Sequence, residues 1–157
     1  MAVNSSINNL NQPEPAVSGG DNLKRKPIKC PYCGAHAAYR PAAVVYGEST
    51  FKKSADTYLY VCSRWPSCDT YVSAHKKSKK PMGTLANREL RHKRMLAHQS
   101  LNAVGKHYKM EKQDLYIWLQ AKMAFTEEQT HIAMFSEYRC DQVIALCDQT
   151  MKPAACC

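Results

Sequence analysis

Apolar residues in the C-terminal half of the chain recur at the spacing of an α-helix. From Thr84 onward they return at steps of about 3.6 residues, which predicts a first helix with one apolar stripe. That stripe consists of Ala86, Leu90, Ala97, Leu101, Val104 and Tyr108. The pattern also predicts a second helix over about 111–124 and a last helix over 138–149. Between them, a capping box at Thr126–Gln129 begins a short helix.

The segment before residue 75 shows the shorter period of β-strands. Stretches rich in β-branched and aromatic residues predict three short strands, at Ala43–Tyr46, Thr57–Val61 and Thr70–Val72. In the second of these, the period of two places Tyr58 and Tyr60 on one face of the sheet. Leu59 and Val61 then lie on the opposite face, so both faces of this strand carry large side chains.

Eight cysteines are conspicuous in a chain of 157 residues. The N-terminus has neither the basic start nor the apolar core of a secretory signal. No apolar run reaches the roughly 20 residues that a bilayer-spanning helix needs. We therefore expect a cytoplasmic protein without a membrane partner, in which the cysteines stay reduced and bind metal rather than form disulfides.

Four of the cysteines form two clusters with the spacing of zinc ligands. A Cys-Pro-Tyr-Cys motif and a Cys-Ser-Arg-Trp-Pro-Ser-Cys motif are separated by a 28-residue spacer, which begins with Gly34. Zinc prefers four soft donors at tetrahedral corners, and a tight two-residue turn aims both sulfurs of the first motif at one point. Gly34 suits the bend after that turn because it tolerates positive φ. The sequence therefore predicts one structural zinc ion bound by Cys30, Cys33, Cys62 and Cys68.

The ligands of the predicted zinc site are typical of a structural zinc ion and not of a catalytic one. Four thiolates close the coordination shell, whereas a catalytic zinc keeps an open position. His36 and His75 each offer a replacement for one sulfur, but we expect both on the surface. The nearby acids Glu48, Asp56 and Asp69 form no evident acid–base pair. An H-x-E motif with a later C-x-x-C, the signature of zinc deaminases, is also missing from the sequence. We therefore expect a protein that is not an enzyme.

Together these patterns predict an α+β fold, a small β zinc ribbon followed by a compact bundle of three or four helices. Residues 1–27 are rich in Asn, Ser, Pro and Gly and predict a disordered N-terminal tail. The remaining boundaries place the zinc ribbon at 28–74, a basic hinge at 75–83, the helical domain at 84–150 and a C-terminal tail at 151–157. Pro81 and Gly83 interrupt regular structure in the hinge.

Positive charge is concentrated just after the predicted ribbon. The whole chain has a formal charge of +9. Residues 75–94 alone hold one acid, Glu89, and eight basic residues, namely Lys76, Lys77, Lys79, Lys80, Arg88, Arg91, Lys93 and Arg94. Such a stretch predicts a phosphate-binding surface, although a solvated hinge explains the lysines equally well.

Trp65 and Tyr71 are the predicted aromatic partners of this surface, because bases that stack on aromatic rings beside a basic groove hold a single strand in place. Tyr58 and Tyr60 either stack in the same way or pack against the helices.

Two resemblances accompany these motifs. Residues 29–73 resemble the C-terminal zinc ribbons of bacterial type I DNA topoisomerases, which implies binding of single-stranded DNA. The topoisomerase activity is not implied, because its catalytic domain has no room in the rest of this chain. Residues 29–149 resemble a family of small zinc-finger-containing proteins of bacteria and their phages. That resemblance is carried by Gly83–Arg91, Tyr116–Leu119 and His131–Phe135, and it implies a ribbon followed by helices.

The sequence favours a zinc-ribbon protein that binds nucleic acid and is not an enzyme. Single-stranded DNA is the favoured ligand, and RNA is the alternative. Binding dominated by phosphates would be weakly sequence-specific and strongly salt-dependent. A second hypothesis is an adaptor that docks on a protein of a DNA-processing machine, in replication or transcription. A third is a nuclease that uses the helical half, but the sequence shows no paired carboxylates for two metal ions.

Overall fold

The computed structural model describes residues 26–48 and 56–152. The predicted N-terminal tail lies outside this part of the chain except for its last two residues, and so does the predicted C-terminal tail from residue 153 onward. The described residues form a three-stranded antiparallel sheet followed by helices. The predicted α+β fold is therefore confirmed.

The N-terminal half of the fold is the sheet, with strand order β1-β2-β3. Its elements are β1 (Ala37–Pro41), the short helix α1 (Ala43–Tyr46), β2 (Tyr58–Cys62) and β3 (Tyr71–Ser73). The C-terminal half contains α2 (Arg88–Tyr108), α3 (Lys112–Met123), two 3-10 turns (Glu128–Thr130 and Ile132–Met134) and α4 (Glu137–Met151).

The strand predicted at Ala43–Tyr46 is wrong, because this segment forms α1. The amide of Tyr46 donates to the carbonyl of Ala42 at 3.0 Å, and that of Gly47 donates to Ala43 at 2.9 Å. The strand that pairs with β2 is instead β1, just before this segment. Long-range pairing therefore overrides the local β preference of the two valines, and Val45 packs against the apolar side of β2.

The predicted alternation along β2 is confirmed, and each face of the sheet covers its own cluster. Leu59 and Val61 are both 1% exposed and pack with Ala42, with Val45, Trp65 and Tyr71 at the edge of the cluster. The opposite face joins Tyr60 and Cys62 to a second cluster, which also contains Cys30, Val72, Ala74 and Leu85. The metal-binding side of the ribbon and its apolar side are thus separated by one sheet.

The helices enclose the largest core. Its buried members come from α2, α3, α4, the second 3-10 turn and the residue after that turn, and they include Ala97, Leu101, Val104, Leu115, Leu119, Ile132, Phe135, Cys140, Val143 and Cys147. All predicted stripe residues of the first helix are buried except Tyr108, which is 51% exposed. Its hydroxyl donates instead to the carbonyl of Thr150 at the end of α4, at 2.9 Å.

The first long helix begins later than Thr84. Asn87 is its N-cap, and its side-chain oxygen accepts a hydrogen bond from the amide of Leu90 at 2.9 Å. Ala86 still pairs with Tyr71 of β3 through two backbone hydrogen bonds of 3.2 Å. Because the amide and the carbonyl of Ala86 are bonded to β3, α2 cannot begin before this residue.

The segment predicted as a basic hinge is a hairpin that extends the sheet beyond β3. Ala74 pairs with Pro81, and the amide of His75 donates to the carbonyl of Lys80 at 2.8 Å. Lys79 has a φ of 54° in the left-handed region, and its amide closes the loop on His75 at 2.9 Å. We call residues 75–80 the basic turn. It is held in place by the sheet and is not a free connection between two domains.

Gly83 lies where this hairpin meets the helices. A Cβ at this position would lie 2.6 Å from the carbonyl carbon of Ala133 and 2.7 Å from its Cβ. Next to it, the amide of Thr84 donates to the carbonyl of Ala133 at 3.2 Å. Glycine therefore permits the close approach that joins the ribbon to the second 3-10 turn.

A Gly83→Ala variant is expected to lose about 1–3 kcal/mol of unfolding free energy, because both clashing atoms belong to a packed segment. Urea unfolding would measure this loss. The control is Ser78→Ala in the exposed basic turn, which we expect to change the free energy by less than about 0.5 kcal/mol. Equal stabilities of the two variants would contradict the role given to Gly83.

The described helices include none that is both long enough and apolar enough to cross a membrane.

Candidate functional site

The four predicted metal ligands converge at one end of the sheet. Their sulfur atoms all lie within 4.8 Å of one another. The Sγ atoms of Cys30 and Cys68 are 3.6 Å apart, and those of Cys33 and Cys62 are 3.4 Å apart. A tetrahedral site with Zn–S bonds of about 2.3 Å places its sulfurs about 3.8 Å from each other. The cluster thus fits one structural zinc ion.

Disulfide bonding does not explain this cluster. Each separation is far longer than an S–S bond of about 2.05 Å, and all four thiols are free. In residues 26–48 and 56–152, no other group of three or more Cys, His, Asp or Glu side chains is close enough to hold a metal ion. His36 and His75, considered as alternative ligands, are exposed and do not belong to the cluster.

The first pair of ligands lies in a tight turn at the start of the ribbon. The amide of Gly34 donates to the carbonyl of Cys30 at 2.9 Å, and the amide of Cys30 donates to Ala35 at 2.7 Å. Gly34 has a φ of 73°, the left-handed conformation predicted for the bend after the turn. Both sulfurs thereby point to the same side of the chain.

The second pair brackets a wider turn that leaves β2 at Cys62. The amide of Trp65 donates to the carbonyl of Cys62 at 3.0 Å, and the amide of Cys68 donates to Arg64 at 3.0 Å. Cys62 and Thr70 are then joined by a backbone hydrogen bond of 2.9 Å. Five residues between the cysteines thus form a closed loop that returns the chain to the sheet.

Thr70 is a functional residue that the sequence did not reveal, because it was assigned only to a strand. Its side chain is 1% exposed, and its hydroxyl lies 3.0 Å from the sulfur of Cys30 and 3.3 Å from that of Cys68. The only signal in the sequence is a threonine two residues after the last ligand, and its burial becomes visible in the structure. Groups that contact ligands in this way orient them and tune metal affinity.

The sulfurs have unequal proton affinities. Burial raises the pKa of Cys30, but hydrogen bonds from Thr70 and from the amides of Cys33 and Tyr32 outweigh it and lower that pKa to about 6. The Thr70 hydroxyl also lowers the pKa of Cys68, yet burial and the neighbouring thiols raise it to about 12. Burial raises the pKa of Cys62 too. One thiolate therefore forms readily, whereas four together require a cation.

A Thr70→Val variant is expected to weaken zinc affinity by about tenfold, because it removes the hydroxyl while keeping the side-chain volume. Competition with a chromophoric chelator would measure this change. The matched control is Thr130→Val, because Thr130 is equally buried but bonds the carbonyl of Thr126 away from the sulfurs. Unchanged affinity in Thr70→Val, or an equal loss in both variants, would contradict the assignment.

The basic residues predicted to bind phosphate fall into two groups. Lys76, Lys77, Lys79 and Lys80 are all exposed in the basic turn, and Arg88 is exposed in the first turn of α2. The remaining three, Arg91, Lys93 and Arg94, are engaged in contacts within the protein. Neighbours in sequence therefore do not share one surface.

Arg91 joins the second zinc turn to α2. Its guanidinium donates to the side chain and the carbonyl of Asp69, both at 2.9 Å, and to the carbonyl of Ala86 at 2.6 Å. It also covers the ring of Tyr71, with 3.8 Å between the guanidinium carbon and the ring centroid. Trp65 meets the same ring edge-on at 6.0 Å. The two aromatic residues predicted to stack on bases are thus used for packing.

Arg94 does not belong to the predicted phosphate surface, which is a correction to the sequence analysis. It is 8% exposed, because its helix position turns it toward the core. Its guanidinium donates to the carbonyl of Phe135 at 2.8 and 3.0 Å, to the carbonyl of Thr84 at 2.9 Å and to the hydroxyl of Thr84 at 2.6 Å. Arg94 therefore holds the segment before α2 against the segment before α4.

Lys93 pairs with carboxylates of α4. Its amine lies 2.6 Å from Asp141 and 3.7 Å from Glu137. The hydrogen bond to Asp141 raises the pKa of Lys93, so the amine stays charged. The positive charge of Lys93 is thus matched locally and contributes little to a field aimed at a polyanion.

Comparison with known proteins agrees with the metal site. Residues 26–150 match a family described as a zinc-finger-containing domain. Neither the curated proteins nor the solved structures contain a match to this chain. The matched segment covers well over half of the sequence and includes all four clustered cysteines as well as the helices. The chain therefore belongs to the zinc-finger-containing domain family and is a zinc-binding protein.

Proposed function

We propose that this zinc-finger domain binds single-stranded nucleic acid through phosphate contacts at the basic turn. DNA is the favoured ligand, and RNA is the alternative. The observation that carries the proposal is the placement of Lys76, Lys77, Lys79 and Lys80. All four are exposed, and no acidic residue occurs between residues 75 and 80. A backbone strand of nucleic acid presents a regular row of negative charges, which such a group of amines neutralises with release of counterions.

The fixed shape of the basic turn supports this role. The turn is closed by the hydrogen bonds of His75 with Lys79 and Lys80. The Tyr60 hydroxyl also donates to the carbonyl of Lys79 at 2.7 Å. Ordering before binding lowers the entropic cost of association. In this proposal the zinc ion has a structural role, because it holds the sheet from which the turn projects.

The resemblance of residues 29–73 to topoisomerase zinc ribbons supports single-stranded DNA as the preferred ligand. In the same proposal the protein acts in the cytoplasm of a bacterium or of a phage-infected cell. It binds without catalysis, since the clustered cysteines leave the zinc no open position. A cleavage assay with magnesium or manganese tests the nuclease hypothesis, and specific strand scission would overturn the non-catalytic role.

Affinity measured across a range of salt concentrations tests the proposal. With one phosphate contact from each of the four lysines, log K against log salt should fall with a slope of about −2.8 for a single strand. A variant with glutamine at Lys76, Lys77, Lys79 and Lys80 should lose most of both affinity and slope. The matched control places glutamine at the exposed lysines Lys106, Lys109, Lys112 and Lys122, which gives the same change in net charge. A flat salt response, or an equal loss in both variants, would overturn the proposal.

A second candidate function is an adaptor for a protein of a replication or transcription machine. The observation that favours it is a cleft of about 690 Å³ between α3 and the segment of the two 3-10 turns, to which Met82 and His98 also contribute. Met82 and Ile117 line it and are 45% and 53% exposed, so the cleft offers apolar contacts to a peptide segment. For an adaptor, Ile117→Lys would abolish partner binding after nuclease treatment, whereas the lysine variant of the basic turn would retain it.

A further inference from the structure

An exposed pair of stacked tyrosines lies on the face of the sheet that contains Tyr60. The rings of Tyr39 and Tyr58 are nearly parallel, with 4.8 Å between their centroids and 2° between their planes. Both side chains are 37% exposed. The register explains the pair, since Tyr58 is opposite Pro41 and diagonal to Tyr39 across the two strands.

The basic turn is attached directly beside this pair. The carbonyl of Tyr58 accepts a hydrogen bond from the amide of Ala74, the residue just before the turn, at 3.0 Å. Tyr39 is directly opposite Tyr60 in the sheet, and their rings are 5.4 Å apart. The hydroxyl of Tyr60 in turn holds the carbonyl of Lys79. Two hydrogen bonds therefore keep the lysines next to the stacked rings.

The other aromatic group of the ribbon is less suited to contact a base. The face of the Tyr71 ring is covered by Arg91, and the rings of Trp65 and Tyr46 form T-shaped pairs with it. Stacking a base on that ring would displace a guanidinium that also holds Asp69. The charge there is already paired, whereas the basic turn carries four exposed amines.

We propose that the Tyr39–Tyr58 pair is the base-stacking platform of this protein and that the basic turn binds the phosphates beside it. The inference rests on the proposed function and makes it more specific, because a platform of this kind selects unpaired bases. In a duplex the faces of the bases are already stacked on one another, so the rings can reach only a single strand or an unpaired end. The ligand class is therefore a single-stranded oligonucleotide of any sequence.

Fluorescence anisotropy with three probes tests this inference, namely an oligothymidylate, the corresponding duplex and an abasic oligomer with the same number of phosphates. Tyr58→Leu should weaken binding of the oligothymidylate by about tenfold with the salt slope unchanged. Tyr58→Phe, which keeps the ring, should bind like the wild type. On the abasic oligomer, Tyr58→Leu and the wild type should bind equally. Zinc content and circular dichroism confirm that each variant is folded.

The outcomes separate this inference from the function on which it rests. If folded Tyr58→Leu binds oligothymidylate like the wild type while the lysine variant does not, the platform is refuted and the proposed function stands. The platform is also refuted if Trp65→Leu, and not Tyr58→Leu, lowers affinity for the oligothymidylate alone. If neither the lysine nor the tyrosine variant changes binding, both proposals fail.

Discussion

A Cys62→Ser variant is expected to lose its zinc and, with it, the ordered structure of the sheet. Cys62 is 2% exposed and is both the last residue of β2 and one of the four clustered sulfurs. Structural zinc sites of this kind contribute about 10–16 kcal/mol of apparent binding free energy. That amount is as large as the entire stability of a typical domain, about 5–15 kcal/mol. Removal of one thiolate is therefore expected to be enough to unfold the ribbon.

Native mass spectrometry and hydrogen exchange would measure this effect. The wild type should carry one zinc ion and the variant almost none. Amide protection should disappear in β1, β2 and β3, while α2 and α4 keep most of theirs, because their buried residues form a separate cluster. The matched control is Cys147→Ala, which removes a buried thiol of α4 far from the metal site and should retain zinc. Tight zinc binding by Cys62→Ser would show that another group can complete the site.

An Arg94→Met variant is expected to lower the free energy of unfolding by about 3 kcal/mol. Methionine fills similar apolar space but leaves the carbonyls of Phe135 and Thr84 without the guanidinium that they bond at 2.8 to 3.0 Å. Burial itself lowers the pKa of Arg94, so part of the loss is offset by removal of a buried charge. The melting temperature should fall by about 10 °C.

The control for this change is Lys93→Met on the neighbouring position of α2. Lys93 is a partly exposed lysine whose ion pairs with α4 are open to solvent, so its loss should lower the melting temperature far less. The pair of variants also separates packing from ligand binding. If the proposed function holds, folded Arg94→Met should bind nucleic acid as tightly as the wild type. Normal stability combined with weak binding would instead return Arg94 to the phosphate surface.

The agreement between sequence and structure is closest where spacing along the chain carries the information. Two cysteine motifs were sufficient to predict the zinc site, since each turn presents its own pair of sulfurs. The helical period correctly placed Leu101 and Val104 of the first helix in the core. These features depend on residues within one or two turns of each other.

The errors occur where partners are distant in the sequence. The valines of α1 prefer strands locally, but β1 occupies the place beside β2. Gly105 lies near the end of α2, where a glycine by itself only weakens a helix. A Cβ at that position would lie 2.8 Å from Cδ2 of Leu115, so the glycine instead permits α3 to pack closely.

The sequence by itself determined that this protein binds zinc in a small ribbon followed by helices, because ligand spacing and helical periodicity are local properties of the chain. Only the tertiary structure decided which charges and rings remain on the surface. Arg91 and Arg94 satisfy acceptors that are 22 and 41 residues away, at Asp69 and Phe135. The lysines of the basic turn instead remain in solvent beside Tyr58 because the hairpin holds them there. A charge is available to a ligand only if the fold has not already paired it, and pairing depends on distances in space.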